Sequence, residues 1–229
     1  MRYNPYDVTT WSVFHPLLMA HDVGRTRDRS TAVIGGNSPG GEGLIGLREA
    51  VELPQQLYGS GRANALAEVD RRWGHNALII ADLSNDASYA EVLLQTFGPR
   101  LIGLQITRSG NGESAERRPC GHGAILVYTV GRSYLIEQLH GLMQVNQVRL
   151  ADTPELQKAF QQLIELEVEF RQTGTVYTCR AGKHDDLGIS CAMLAWAARH
   201  PQLRYWFQAA EMARRPRRPR EKFNWAAVT

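Results

Sequence analysis

The stretch Ala77-Leu78-Ile79-Ile80-Ala81 is apolar at every position and stops at Asp82. A strand with one wet face alternates apolar and polar residues. A short run without alternation reads as a central strand covered on both faces. A chain that buries such a strand needs layers above and below it, which makes the expected class α/β. Asp82 ends the run, and open α/β sheets place ligands beyond the carboxyl ends of their strands. Ser84-Asn85-Asp86 follows, with Asp86 as the expected cap of a helix that carries Tyr89, Val92, Leu93, Leu94 and Phe97 on one side.

Two further acidic positions share this character. Asp22 closes the apolar run Leu17-Leu18-Met19-Ala20-His21, ahead of a turn-rich loop and a second β-branched run, Thr31-Ala32-Val33-Ile34. A carboxylate at the end of a buried strand needs a partner. A metal ion is one such partner, and a salt bridge to Arg25 or Arg27 is another. The third position is Gly182-Lys183-His184-Asp185-Asp186-Leu187, which runs into the small, apolar stretch Gly188 to Trp196. This reads as a helix packed on a sheet with an acidic first turn. Acids are favoured at a helix N-terminus, so capping competes with metal binding as the reason for the pair. Clustered carboxylates repel one another unless cations neutralise them. Hard oxygen ligands without a Cys/His set suit Mg²⁺ or Mn²⁺, and two such ions can activate a water and stabilise the leaving oxygen in phosphodiester hydrolysis.

The order and context of these acids resemble the nuclease domain of phage terminase large subunits, in the ribonuclease H-like superfamily. The resemblance runs from about Leu17 to Arg199. It is carried by Tyr128 to Ile136 at the start of a helix, by Leu163 to Phe170 as a helix-to-strand segment, and by Gly182 to Leu187 as the final acidic motif. It implies a ribonuclease H-like mixed β-sheet flanked by helices. It also implies a two-metal DNA endonuclease with Mg²⁺ or Mn²⁺, whose catalytic and metal-binding residues are Asp22, Asp82, Asp185 and Asp186. Asp22 would be shared by both ions, Asp82 would hold one, and Asp185 or Asp186 the other. The implied substrate is double-stranded DNA, cut during viral packaging in the cytoplasm of a phage's or prophage's host. The implied partners are a separate ATPase motor, a small terminase or a portal. The sequence departs from the family in having Leu83-Ser84-Asn85-Asp86 where a glycine-rich turn is usual. It also lacks the phosphate loop of the family's ATPase motor, so it reads as a separately encoded or excised nuclease domain. Another ribonuclease H-like activity, on junctions or an RNA strand, would use the same acids. A non-catalytic DNA-binding or packaging-assembly module is the reading from outside enzymology.

Composition bounds the rest. The chain has 229 residues, 43% of them hydrophobic, enough for one large domain with appendages. No apolar stretch reaches the length of a membrane span, and the N-terminus lacks the pattern of a signal peptide. Cys120, Cys179 and Cys191 suit a reducing cytosol rather than a disulfide framework. Cys120-Gly121-His122 lacks a second ligand pair spaced for zinc. Gly35 to Gly41 reads as a hairpin turn more readily than as a phosphate cradle. Between residues 214 and 222, Arg214, Arg215, Arg217, Arg218, Arg220 and Lys222 face only Glu221, a local net of +5 that leaves about −2 for the rest of a +3 chain. Broken by Pro216 and Pro219, this tail suits salt-sensitive, sequence-blind phosphate contacts or plain solvation. Lys183, His184, Arg117 and Arg118 are further candidate phosphate contacts.

The expected layout is an irregular, aromatic-rich segment 1–16, a nuclease domain 17–205 and a basic tail 206–229. Within the domain, strands at about 17–23, 30–36 and 43–53 form a meander. A helix at 62–73, a strand ending at Asp82, a helix at 87–97 and a strand at 101–107 follow. Residues 108–123 read as a long loop, which long loops' frequent functional use makes a candidate DNA contact or access gate. Two helical stripes come next, around Leu135 to Met143 and Leu156 to Ile164. A hairpin about Thr173-Gly174-Thr175 then leads back to the final acids.

Overall fold

The computed structural model describes residues 14, 16–24, 29–38, 43–84, 86–108, 112–171, 174–180 and 183–203. Strands β1 (Leu17–Asp22), β2 (Thr31–Asn37) and β3 (Ile45–Glu52) form the expected antiparallel meander. Helix α1 (Gly59–Arg72) returns the chain as β4 (Leu78–Asp82), parallel to β1. Helix α2 (Ala87–Phe97) leads to β5 (Leu101–Thr107), parallel to β4. All five residues of β4 are buried, as an unbroken apolar run at the centre of a sheet requires. Asp86 caps α2, its carboxylate accepting from the Tyr89 amide at 3.1 Å.

The expected loop at 108–123 is corrected by the fold. Glu113–Cys120 forms β6, an edge strand paired antiparallel with β7 (Gly123–Gly131), which itself runs parallel to β5. Its sequence, Glu-Ser-Ala-Glu-Arg-Arg-Pro-Cys, is almost wholly exposed and carries no apolar alternation. Charge and proline are what an edge strand uses to prevent further pairing, and they erase the periodic signal. At the opposite edge a short strand, β8 (Val148–Leu150), adds parallel to β3, which the sequence reading did not anticipate. The eight strands lie in the order β6-β7-β5-β4-β1-β2-β3-β8.

Helices α3 (Arg132–Gln144) and α4 (Pro154–Ile164) follow β7 and β8. A separate hairpin, β9 (Glu167–Arg171) with β10 (Gly174–Thr178), then precedes α5 (Asp186–Arg199). Helix α5 is buried from Leu187 to Ala198, with β1 and β2 on one side and α3 and α4 on another. Its small, all-round apolar sequence suits a helix enclosed on every side. Gly188 allows close approach to α4, since a Cβ there would stand 3.0 Å from Leu163 Cγ. Its amide donates to Gln162 Oε1 at 3.0 Å, which fixes the height of the acidic first turn. At the N-terminal side, Phe14 is buried edge-on to Trp73, with ring centroids 6.0 Å apart. No helix among the described residues is long and apolar enough to cross a membrane.

Candidate active site

Asp22 and Asp82 occupy the carboxyl ends of adjacent parallel strands. The register pairs His21 with Ala81, so the two aspartates follow side by side and share a face of the sheet. That face belongs to α5. Asp22 lies opposite Thr31 on β2. The Thr31 hydroxyl is 3.1 Å from the Asp186 carbonyl, to which it donates, and 2.7 Å from Ser190 Oγ. The first turn of α5 is thereby tied to the end of β1. Residues one step back in the strand point the other way. There His21 contacts Tyr89 of α2, and the Arg62 guanidinium of α1 lies 5.3 Å from the Tyr89 ring.

The acids at this end are bonded in different ways. Asp82 is buried, and one of its oxygens accepts from the amide of Ser84 at 2.9 Å and from the Ser84 hydroxyl. The same hydroxyl accepts from the Ile106 amide at 2.7 Å, joining the turn after β4 to β5. Asp185 holds the N-cap position of α5, yet its side chain makes no capping bond. Its buried carboxylate faces the Arg132 guanidinium in an ion pair instead. Capping therefore does not account for this acid. Asp186 stands in the first turn, where the helix dipole favours it.

Arg132 is the functional candidate that the sequence reading missed. It opens α3 directly after Gly131, which puts a cation at a helix N-terminus, where the dipole opposes it. Its guanidinium also reaches the Tyr177 carbonyl of β10 at 3.4 Å. Burial pulls its pKa below the ordinary arginine value, and the nearby carboxylates of Asp22 and Asp186 oppose that pull. One partly buried cation thus serves acids from β1 and α5 together. The signal in the sequence was the misplaced charge itself, an arginine opening a helix where an acid is the rule.

Beside Asp186 a cleft of about 570 Å³ opens between α4 and the end of β3, with His184, Lys183, Lys158 and Arg29 on its walls. Its cations are engaged. Arg29 lies 2.7 Å from Glu52, Lys158 pairs with the same carboxylate, and Lys183 lies 3.2 Å from Glu165. Burial alone would raise the Glu52 pKa, but the hydrogen bonds from Lys158 and Arg29 outweigh it and hold the carboxyl below its ordinary value. The other proposed phosphate contacts are not gathered here. Arg117 and Arg118 lie on β6, three strands from β4, level with Leu126 and Ile125 near the start of β7. Arg118 pairs with Glu116 and Gln105. Arg214, Arg215, Arg217 and Arg218 lie outside the described residues.

The donors fit a hard divalent cation in type, being carboxylates without thiolate or imidazole. Among the described residues no three Asp, Glu, His or Cys side chains are gathered about one point as a metal would need. No protein-family model matches the sequence, and no curated protein does. Among solved structures, the large terminase nuclease from the thermophilic phage G20c aligns over 80% of this chain and 81% of its own, with 17% identity and a TM-score of 0.51. The large terminase nuclease domain from bacteriophage SPP1, determined with bound Mn, aligns over 79% and 85%, with 14% identity and a TM-score of 0.47. The G20c likeness shows the fold alone: a mixed sheet flanked by helices, shared with that nuclease.

Proposed function

We propose that this chain is a divalent-metal-dependent endonuclease of the terminase type, which hydrolyses phosphodiester bonds in double-stranded DNA. The observation that carries the reading is the convergence of acids from three separated segments on one end of one sheet face. Asp22 and Asp82 end neighbouring strands, and the Thr31 hydroxyl ties the acidic start of α5 to the same edge. A structural ion pair needs one acid and one base. Acid-bearing positions from three chain segments brought to one end of a sheet suit a place where cations and an anionic phosphate meet.

When bound, two Mg²⁺ or Mn²⁺ ions would supply an activated water and charge stabilisation at the leaving oxygen. Asp22, central in the sheet, would be shared between them, with Asp82 on one side and Asp185 or Asp186 on the other. The chain's own part is to hold these carboxylates on rigid elements. β1 and β4 are buried centre strands and α5 is enclosed on several sides, so the backbone that carries these acids is firmly held. His184 and Lys183, on the wall of the adjoining cleft, would be the residues to meet a phosphate. The basic run from Arg214 to Lys222 would add contacts that carry no base information. In packaging, the chain would work beside a separate ATPase motor, a small terminase or a portal.

The test is cleavage of supercoiled plasmid by the purified chain with Mn²⁺ or Mg²⁺, beside Asp22→Ala and EDTA controls. Nicking and linearisation that disappear in both controls support the reading. Full cleavage by Asp22→Ala would overturn the assignment of the acids. No cleavage by folded protein, with salt-dependent DNA binding retained, would favour a non-catalytic module.

A further inference from the structure

Arg132 pairs with Asp185 and lies in the field of Asp22 and Asp186. Neither end of this contact has a simpler structural reason. Asp185 does not cap α5, although it sits where a cap would. Arg132 opens α3 against that helix's dipole. Two helices that pack together each place the wrong charge use, or the wrong charge, at their first residues, and the two meet. One terminal nitrogen of the guanidinium meets the Asp185 carboxylate while Nε donates to the Tyr177 carbonyl, so the charge is held in place by two elements.

We infer that Arg132 is a built-in counter-cation for Asp185 and competes with a divalent ion for that carboxylate. This rests on the nuclease reading above, because the competitor is the ion that reading requires. Metal loading at Asp185 then involves release of the guanidinium, which leaves Arg132 close to the carboxylates. The pair has two consequences for the chain. It neutralises the buried Asp185 carboxylate. With metal present it weakens binding, since a positive group must be displaced from a site that is already partly neutralised.

The experiment is calorimetric titration of Mn²⁺ into the full wild-type chain and into Arg132→Gln, with thermal melts of both in EDTA and in Mn²⁺. Arg132→Gln should bind Mn²⁺ about tenfold more tightly, the size of effect that neighbours of metal ligands commonly have. It should also melt lower than wild type in EDTA and recover more on adding Mn²⁺. Arg132→Lys keeps the charge without the fork. It should shift affinity the same way by less, and it tests the inference if the glutamine variant does not fold. If wild type binds Mn²⁺ and the folded variants bind it equally or more weakly, the competition is overturned while the nuclease reading stands. If neither wild type nor variants bind Mn²⁺, the metal reading fails and this inference fails with it.

Discussion

Helices α2 and α5 both begin with an aspartate at the N-cap, and the two residues do different things. Asp86 accepts from the Tyr89 amide at 3.1 Å and from the Ser88 hydroxyl at 2.6 Å, satisfying one of the open amides of its own helix. Asp185 makes no such bond and gives its carboxylate to Arg132, 53 residues earlier in the chain. Both positions read alike in one dimension: an acid, then an apolar helical stretch. What separates them is the element that packs opposite. Asp86 is bonded by the first turn of its own helix, whereas the start of α3 presents a cation to Asp185. An acid that leaves its local bond unmade in favour of a distant cation is what the proposed site would require.

The strongest test of this contrast is activity. Asp22→Asn and Asp186→Asn should each lower plasmid cleavage by more than the ~10–100-fold that loss of a metal ligand's supporting partner brings, with the fold kept by circular dichroism. Asp86→Ala should leave cleavage unchanged. If Asp86→Ala abolished cleavage in folded protein, or the two site variants did not, the distinction between the helix starts would collapse.

Acid should act on stability from beneath the site. Burial pushes the His21 imidazole down to about 4 from an ordinary 6.5, against the raising effect of its bond to the Thr31 carbonyl. The folded state therefore keeps His21 neutral, while the unfolded chain takes up a proton below about 6.5. The contribution is complete above that value and is lost as pH falls toward about 4. The urea midpoint should drop between pH 7 and pH 5, and His21→Asn should flatten that dependence. An unchanged slope in the variant would show that other groups control acid unfolding.

A smaller effect sharpens the link between β1 and α5. Thr31→Val removes the hydroxyl that serves the Asp186 carbonyl and Ser190, a fully buried side chain. An unmet polar group of this kind costs about 1–3 kcal/mol, and the double variant with Ser190→Ala should recover part of it in urea melts. Additive losses would show that the two hydroxyls do not act together. Smallest of all, Asp86→Ala should cost about 0.5–2 kcal/mol as a lost helix cap, read from the same melts.

Much of the scaffold follows from the sequence because its signals are local. The unbroken apolar run to Asp82, the β-branched run from Thr31 and the capping acid Asp86 each announce their element within a few residues, and the meander followed by β-α units came out in the expected order. Edge strand β6 stayed hidden, since an exposed charged strand carries the same composition as a loop. The candidate acids were likewise legible as abrupt ends of apolar runs, where a charge next to a core demands a reason. Their mutual arrangement was not. Whether an aspartate at a helix start caps the helix or faces a cation depends on packing between residues far apart in the chain, and no local pattern encodes that. The sequence by itself determined which residues close the central strands and begin α5. Only the tertiary structure decided that Arg132 would meet them, because opposite charges find one another through the packing of α3 on α5, after the sheet has brought their starting points together.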